Sequence, residues 1–367
     1  MEKNLDIVPV KEWGIFEAGR PYLIAGPCSA ESEEQVMETA KGLAKAGVTV
    51  FRAGLWKPRT HPGCFEGVGE KGLPWLQRVQ AELGMKVCTE VAGAAHVRAA
   101  VAHGVDMVWI GARTTANPFL VQEIADELAG TDIPVLVKNP VNRDLELWTG
   151  AIERLQRRGI CKIGVVHRGF STFETLRYRN SPEWHVAVTL RSRHPGIPFF
   201  CDPSHMGGSR DLVQEISQKA MDLGLDGLMV ESHCKPSEAL SDAAQQLTPS
   251  EFGAMVSGLT IRDDDSEEAG YRSAIDELRA SIDAIDDELL ENLASRMEVS
   301  RRIGSIKKES NIAIIQTTRW EALMDKVLQR ASGLGLDPAF VTSVFENIHQ
   351  ASIMEQNKTI DNNDSRN

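Results

Sequence analysis

Basic side chains recur through the first half of the chain, each close behind a short apolar run. Several like charges that face one pocket are costly to bury unless anions balance them, and arginine forks match carboxylate and phosphate groups. The pattern therefore predicts a pocket for a ligand with more than one anionic group. The alternative is that these charges are scattered around the rim of the fold and share no ligand. The residues are Arg52, Lys57, Arg59, Arg113, Lys138 and Arg168.

A second set of residues offers the atoms that bind metals. It combines a thiol, an imidazole and two carboxylates, each at or just beyond the end of an apolar run, so the four can converge. These ligand types suit a divalent first-row metal such as Mn²⁺, Fe²⁺, Co²⁺ or Zn²⁺. Taken singly, a cysteine is more often a small buried apolar residue, and a glutamate is more often paired with a lysine. The four are Cys28, His205, Glu231 and Asp242.

The elements that must position these side chains alternate along residues 1–260. Eight short runs rich in Val, Ile and Leu predict buried parallel strands, at 22–26, 48–53, 86–91, 107–111, 134–138, 162–167, 198–202 and 227–231. Helical patterns lie between them, for example at 33–46, 73–83, 117–128 and 212–223. Eight such units predict a (β/α)8 TIM barrel, in which function lies at the carboxyl ends of the strands. A doubly wound open sheet is the alternative, although it usually has fewer strands.

The composition changes after the predicted barrel. Residues 261–270 are acidic and predict a solvated linker or the start of a helix. A long helix is predicted from 271 to about 310, with apolar residues spaced alternately by three and four, and shorter helices near 318–331 and 338–356. Three helices in so short a segment form a thin core, which predicts an all-α domain, residues 271–357, that dimerises. The polar residues 358–367 predict a disordered tail.

Two cations interrupt the apolar stripe of the long helix. The spacing of three and four reaches Arg296, and Lys307 lies about 20° away around an ideal helix. A charge on such a seam is costly unless it meets an anion. The spacing alone leaves open whether these cations bind a ligand, extend to solvent or pair with acids of a partner helix.

Length and composition limit the classes of function. The chain has 367 residues, which suggests two domains, and a formal net charge of −12. This acidic balance argues against nucleic-acid and anionic membrane partners. We expect no membrane span and no signal peptide, because no apolar run is long enough. Six scattered cysteines without a CxxC pair predict a cytoplasmic protein with reduced thiols.

Several motifs along residues 1–260 occur in the order of a known family: Gly-Pro-Cys-Ser at 26–29, Arg-Ala-Gly at 52–54, Lys-Pro-Arg-Thr at 57–60, Asp-Pro-Ser-His at 202–205, and the stretch from Asp226 to Asp242. Through them the chain resembles the short form, type I beta, of 3-deoxy-D-arabino-heptulosonate 7-phosphate synthase. That family has a (β/α)8 barrel and catalyses the first reaction of the shikimate pathway. It condenses phosphoenolpyruvate with erythrose 4-phosphate and releases phosphate.

The resemblance implies a role for each residue of the two sets. The metal ligands would be Cys28, His205, Glu231 and Asp242, with Mn²⁺ the expected ion and Fe²⁺, Co²⁺ or Zn²⁺ the alternatives. Phosphoenolpyruvate would be bound by Arg52, Lys57, Arg113, Lys138 and Arg168. Arg59 and Thr60 would bind erythrose 4-phosphate, and Glu90 would be an active-site acid. The metal would polarise the aldehyde, and we expect Lys57 and Lys138 to move protons if like charges depress their pKa values.

A sister family makes 3-deoxy-octulosonate 8-phosphate from a five-carbon sugar phosphate. Its members typically carry Lys-Ala-Asn-Arg where this chain has Lys-Pro-Arg-Thr at 57–60, which favours the four-carbon aldose. His61 and Glu66 depart from the common Ser and Gln of the synthase family, but neither is a proposed ligand.

The long helix carries a second resemblance. Leu278-Arg279, Ile282-Asp283, Ile285-Asp286, Leu289-Leu290, Ala294-Ser295-Arg296-Met297 and Ile303-Gly304 match the first helix of the all-helical chorismate mutases, over about 271–357. The resemblance implies a homodimer that binds chorismate, with Arg279 reaching the other subunit's site. Carboxylates would be held by Arg296 and Arg319, and the ether oxygen by Lys307 and Gln356. Ser352 shares a helix face with Gln356, four residues on.

Such a site needs no nucleophile or cofactor, because orientation and electrostatic stabilisation lower the barrier of the rearrangement. Two departures concern recognition of the substrate hydroxyl. Trp320 stands where many relatives have a glutamate, and Gln316 replaces a common aspartate.

The sequence therefore predicts a bifunctional enzyme, a synthase followed by a chorismate mutase, with feedback inhibition by prephenate or chorismate. The competing hypothesis keeps the barrel as the enzyme and makes the helical domain a non-catalytic ligand sensor and dimerisation module. A purely structural fusion is a third possibility, and it predicts no ligand binding by the helices.

Overall fold

The computed structural model describes residues 5–17, 19, 21–58, 63–172, 177–262, 269–314 and 317–361. The chain divides into two compact units, residues 1–264 and 265–367. The first unit contains eight strands and the shorter helices, and the second contains three long helices. None of the described helices combines the length and the apolar composition that crossing a membrane requires.

Eight parallel strands close into a barrel in sequence order, which confirms the predicted architecture and excludes the open sheet. β1 pairs with β8, where Gly26 lies opposite Glu231, so no strand is left at an edge. The strands are β1 (Tyr22–Gly26), β2 (Val50–Arg52), β3 (Lys86–Val91), β4 (Met107–Ile110), β5 (Val135–Lys138), β6 (Ile163–His167), β7 (Phe199–Cys201) and β8 (Gly227–Glu231).

Helices alternate with the strands and pack on their outward faces. They are α1 (Glu33–Lys45), α2 (Leu73–Leu83), α3 (Ala94–Ala102), α4 (Ala112–Thr115), α5 (Pro118–Leu128), α6 (Leu145–Arg157), α7 (Trp184–Arg193), α8 (Pro203–Gly207), α9 (Val213–Asp222) and α10 (Pro249–Ser257). Polar caps fix several starts. The Ser32 side chain accepts a hydrogen bond from Gln35 N at α1, and Thr248 and Glu251 form a capping box at α10.

The strands bury side chains on both faces. Outward residues such as Val108 and Ile110 pack under the helices, whereas inward residues form what we call the apolar ring inside the barrel. Trp13 packs against this ring from the N-terminal segment, where its Nε1 donates a hydrogen bond to Val8 O at 2.9 Å. The apolar ring is Ile24, Val50, Cys88, Trp109, Leu136, Val166, Phe200 and Met229, one residue from each strand.

The second unit consists of α11 (Ala269–Glu309), α12 (Thr317–Gly333) and α13 (Pro338–Asp361). α11 and α13 approach closely at Gly304, where an added Cβ would lie only 3.0 Å from Gln356 Cα. The structure continues α13 four residues into the segment for which the sequence predicted a disordered tail. No Gly or Pro interrupts the helix at 358–361, and 362–367 lie outside the described residues.

Candidate active site

The inward position two residues beyond the apolar ring forms a charged layer at the carboxyl end of the barrel. Six strands place a charged residue there: Arg52, Glu90, Lys138, Arg168, Asp202 and Glu231. β1 and β4 contribute Gly26 and Gly111 instead. A Cβ at Gly111 would lie 2.1 Å from Glu90 Oε1, so the glycine leaves the space that this carboxylate occupies. One register of the barrel therefore brings together five predicted site residues and Asp202.

A pocket lined mainly by charged side chains opens above the charged layer. It is lined by Lys57, Pro58, Glu90, Gly111, Ala112, Arg113, Lys138, Arg168, Arg179, His205 and Asp242. Arg168 is held there by Asn180, whose Oδ1 accepts a hydrogen bond from Arg168 Nη1 at 2.8 Å. Burial, with the nearby Arg179 and Arg113, lowers the pKa of Arg168 to about 10, although Asp202 opposes the shift. Arg59 and Thr60 lie outside the described residues.

Asp202 connects the cations of the pocket to the predicted metal ligands. Its Oδ2 lies 2.5 Å from Lys138 Nζ and accepts a hydrogen bond from His205 Nδ1 at 2.8 Å. Burial would raise the pKa of Asp202, but His205 and Lys138 hold it well below its usual range. The ring of His205 is thereby oriented with Nε2 3.7 Å from Glu231 Oε1. A carboxylate that fixes one imidazole nitrogen while the other is presented is typical of metal-binding histidines.

The other three predicted ligands converge. One ligand atom each from Cys28, Glu231 and Asp242 lies within 4.8 Å of the other two. The Cys28 thiol donates a hydrogen bond to Asp242 Oδ2 at 3.2 Å. Burial, together with the nearby Glu231 carboxylate, raises the pKa of Cys28 to about 12. A cation among these groups would lower the pKa of Cys28 and so oppose the effects of burial and of Glu231. These residues therefore fit a divalent metal in charge and in donor type.

The two lysines differ in their electrostatics. Burial and the nearby Arg52 lower the pKa of Lys138, although Asp202 opposes the shift. Burial also acts to lower the pKa of Lys57, but Cys28, Glu90 and Glu231 outweigh it and the net pKa is raised. Lys57 Nζ donates to Cys28 O at 3.1 Å and lies 3.8 Å from Glu90 Oε2. The condition for moving a proton, a depressed pKa, is therefore met at Lys138 and not at Lys57.

Arg179 and Gln245 belong to the site, but the sequence pattern does not predict them. Arg179 Nη1 donates to Asp242 Oδ1 at 2.9 Å, and Gln245 Nε2 donates to Glu231 Oε2 at 2.7 Å. Neither follows a strand directly, so no strand end marked them. Trp109 lies inside an apolar run, where the pattern predicts only a core residue. Asp202 begins the Asp-Pro-Ser-His motif, and its register two residues beyond Phe200 places it in the charged layer.

The helical unit brings together several of its predicted site residues. Arg296 Nη1 donates to Ser352 Oγ and lies 3.5 Å from Ile348 O. Gln356 follows Ser352 by one helical turn, is buried, and its Oε1 has no hydrogen-bond partner among the described residues. Lys307 Nζ donates to Ile314 O at 2.6 Å.

The remaining predicted residues of this unit are placed differently. Arg279 is exposed and its Nη1 lies 3.7 Å from Asp276 Oδ1 on the same helix. Arg319 is also exposed. Trp320 stacks on His349, with ring centroids 4.3 Å apart. Gln316 lies outside the described residues.

Known proteins resemble both units. The sequence profile of the DAHP synthetase I family matches residues 13–263, and that of chorismate mutase type II matches residues 278–357. A phospho-2-dehydro-3-deoxyheptonate aldolase of Thermotoga maritima is 39% identical over 241 residues, 65% of this chain and 69% of the relative. A 2-dehydro-3-deoxyphosphooctonate aldolase of Acidithiobacillus ferrooxidans is 31% identical over 254 residues, 62% of this chain and 85% of the relative.

The fold comparison agrees. The crystal structure of the Thermotoga maritima DAHP synthase superposes with a TM-score of 0.61 and 36% identity, over 69% of this chain and 72% of that one. The two matched domains together describe a bifunctional enzyme of the shikimate pathway, a transferase joined to an isomerase. The chain thus belongs to the DAHP synthetase I family and carries a type II chorismate mutase domain in residues 278–357.

Proposed function

We propose that the barrel condenses phosphoenolpyruvate with erythrose 4-phosphate to 3-deoxy-D-arabino-heptulosonate 7-phosphate and phosphate. The observation that carries the proposal is the charged layer, which brings cations suited to an anionic substrate beside a set of metal-binding groups. Phosphoenolpyruvate carries a carboxylate and a phosphate, and the pocket supplies Lys57, Arg113, Lys138, Arg168 and Arg179 around one space.

In this proposal Cys28, His205, Glu231 and Asp242 hold a divalent metal, with Mn²⁺ favoured. When bound, the metal supplies Lewis-acid polarisation of the aldehyde. The chain's cations hold the carboxylate and phosphate while the enol carbon attacks the aldehyde carbon. Lys138, with its lowered pKa, gives a proton to the new hydroxyl oxygen. Water then adds to the cationic carbon and loses one proton to a nearby base such as Glu90. The bond from this carbon to the phosphate oxygen then breaks, and the remaining hydroxyl proton leaves with the phosphate as the ketone forms.

The choice of aldose is tested by comparing two substrates, because relatives that act on either class are similar to this chain. Product formation from phosphoenolpyruvate is measured with erythrose 4-phosphate and with arabinose 5-phosphate. We expect turnover with the four-carbon aldose and at least a hundredfold lower kcat/KM with the five-carbon one. The reverse preference would assign the barrel to the sister activity. Cys28→Ala protein treated with a chelator should make neither product, and retained turnover would refute the metal site.

We propose that the helical unit converts chorismate to prephenate. Arg296, Ser352 and Gln356 form one polar cluster on α11 and α13, suited to a ligand with two carboxylates and an ether oxygen. The competing function is a non-catalytic sensor, which Trp320 favours because it removes an acid. Product identification after incubation of the intact chain with chorismate distinguishes the two. Prephenate above the uncatalysed rate establishes the mutase, whereas binding without turnover establishes the sensor.

We propose that the helical unit forms a homodimer. Leu278, Ile282, Ile285 and Leu289 lie along one stripe of α11 and are each more than half exposed in the single chain. A long exposed apolar stripe is typical of a face that a partner helix covers. Light scattering should show a dimer for the native chain and a monomer for Ile282→Glu. An Ile282→Glu chain that remains dimeric would place the interface elsewhere.

We also propose that prephenate or chorismate bound to the helical unit inhibits the synthase reaction of the barrel. Such inhibition requires that the bound ligand favour one state of the enzyme over another. A chain ending at residue 262 should keep synthase activity and lose the inhibition. A truncated barrel that remains inhibited would refute the idea. We also propose a cytoplasmic location, since all six cysteines are free thiols.

A further inference from the structure

Trp109 lies directly beside two cations of the charged layer. It belongs to the apolar ring, and its side chain is almost completely buried. The centroid of its ring is 4.8 Å from Arg52 Cζ and 5.8 Å from Lys138 Nζ. Both distances fall within the roughly 6 Å over which the face of an indole attracts a cation. One aromatic side chain therefore contacts the cations from β2 and β5.

The register explains why the indole reaches these cations. On β4 the position of the charged layer is Gly111, so no side chain of its own strand covers Trp109 from above. β2 and β5 place Val50 and Leu136 beneath a charged side chain, and β1 places the smaller Ile24 beneath Gly26. β4 instead combines the largest side chain in the apolar ring with the absence of a side chain in the layer above.

The chemical consequence concerns net charge. Arg52 and Lys138 already pair with Glu231 and Asp202, at 3.1 and 2.5 Å. A further carboxylate would stabilise these buried cations but would cancel the charge that an anionic ligand needs. A π face attracts a cation and leaves its charge uncompensated. Arg52 Nε and Nη1 have no hydrogen-bond partner within the described part of the chain, so the guanidinium keeps unused donors.

We propose that Trp109 is a positioning residue, whose indole face holds Arg52 and Lys138 in place for the anionic groups of phosphoenolpyruvate. The inference rests on the proposed function, because it requires that the barrel bind this substrate. The role extends beyond filling the barrel, since an aliphatic side chain of similar volume would pack the space and provide no π face.

The test compares Trp109→Phe with Trp109→Leu in the full-length chain with Mn²⁺ present. Both variants lose volume, but only phenylalanine keeps an aromatic face. Calorimetric titration with phosphoenolpyruvate should show a Kd raised about tenfold in Trp109→Leu and only two- to threefold in Trp109→Phe. Urea unfolding of the barrel reports whether the two have the same stability. Trp148→Phe, a buried tryptophan on α6, is the control and should leave the Kd unchanged.

Equal Kd values in the phenylalanine and leucine variants, at equal unfolding midpoints, would overturn the positioning role. Should Trp109→Leu fail to fold, phenylalanines with one, two and three ring fluorines are incorporated at position 109. Each fluorine weakens the π face with little change in size, so the Kd must rise along the series, and a constant Kd would overturn the proposal. Absence of phosphoenolpyruvate binding by the native chain would instead refute the proposed function.

Discussion

Arg52 Nη2 donates a hydrogen bond to Glu231 Oε1 at 3.1 Å, and both side chains are completely enclosed by the barrel. This ion pair joins the cations that suit an anionic substrate to the carboxylates that suit a metal. Neither charge has solvent to balance it, so each depends on the other for its ionised state. We therefore expect that a bound metal changes the affinity for an anion, and that a bound anion changes the affinity for a metal, through this pair.

Removal of one partner should destabilise the barrel. Glu231→Ala leaves the Arg52 guanidinium buried without its counter-charge, and we expect the free energy of unfolding to fall by about 3–5 kcal/mol in the metal-free protein. Asp132→Ala is the control, because Asp132 pairs with Lys162 at 2.6 Å on the surface and is 89% exposed. It should change stability by less than about 1 kcal/mol. If urea unfolding showed the same loss of unfolding free energy for Glu231→Ala and Asp132→Ala, the buried ion pair would have no special role in stability.

Asp202 should control metal affinity without binding the metal. Asp202→Asn removes the charge that orients His205 through Nδ1, and we expect metal affinity to fall roughly 10- to 100-fold. The matched control is Asp106→Asn, a carboxylate that precedes β4 at the opposite end of the barrel and pairs with Lys86. Competition with a fluorescent chelator measures both affinities. Unchanged affinity in Asp202→Asn would show that His205 is oriented by other groups.

The charged layer shows how much of this site the sequence predicts. Residues such as Lys138 and Glu231 end apolar runs, and parallel strands bring such ends together, so their meeting follows from the fold. Arg179 does not end an apolar run, so no local pattern marks it. The raised pKa of Lys57 depends on distances of a few ångströms to Cys28 and Glu90, which only the folded chain determines. Trp109 is indistinguishable in sequence from a residue that only fills the core.

His167 should make the barrel sensitive to acid. Burial lowers its pKa to about 4, against 6.5 for an ordinary histidine, although Nε2 donates a hydrogen bond to Pro182 O. The unfolded chain therefore binds a proton before the folded one does. Stability is unaffected above about pH 6.5 and falls as the pH decreases toward 4. Between pH 7.5 and 5 we expect this histidine to cost about 2 kcal/mol.

The comparison variant is His167→Gln, whose amide can replace the bond made by Nε2 but does not titrate. Urea unfolding of the barrel at pH 7.5 and 5 gives the loss of stability for each protein. The native chain should lose about 2 kcal/mol more than the variant. Equal losses in the two proteins would show that other groups cause the acid sensitivity.

Gly304 should limit the chemistry of the helical unit. A Cβ at this position would lie 3.0 Å from Gln356 Cα and 3.2 Å from its carbonyl oxygen, so Gly304→Ala must move α13 away from α11. We expect about 1–3 kcal/mol lower stability of this unit and slower conversion of chorismate, since Gln356 is displaced. Gly333→Ala is the control, because an added Cβ at this position meets nothing within 4 Å. It should leave the rate of chorismate conversion unchanged and leave the stability unchanged or slightly higher. Native turnover in Gly304→Ala would exclude Gln356 from the reaction.

The central claim is that one chain holds two separate active sites, one in each unit. It is tested most directly by mass spectrometry of the products formed from phosphoenolpyruvate, erythrose 4-phosphate and chorismate in a single reaction with Mn²⁺. We predict both 3-deoxy-D-arabino-heptulosonate 7-phosphate and prephenate from the native chain. Cys28→Ala should lose only the first product, and Arg296→Ala only the second. Absence of either product with the native chain, or loss of both in one variant, would contradict the account.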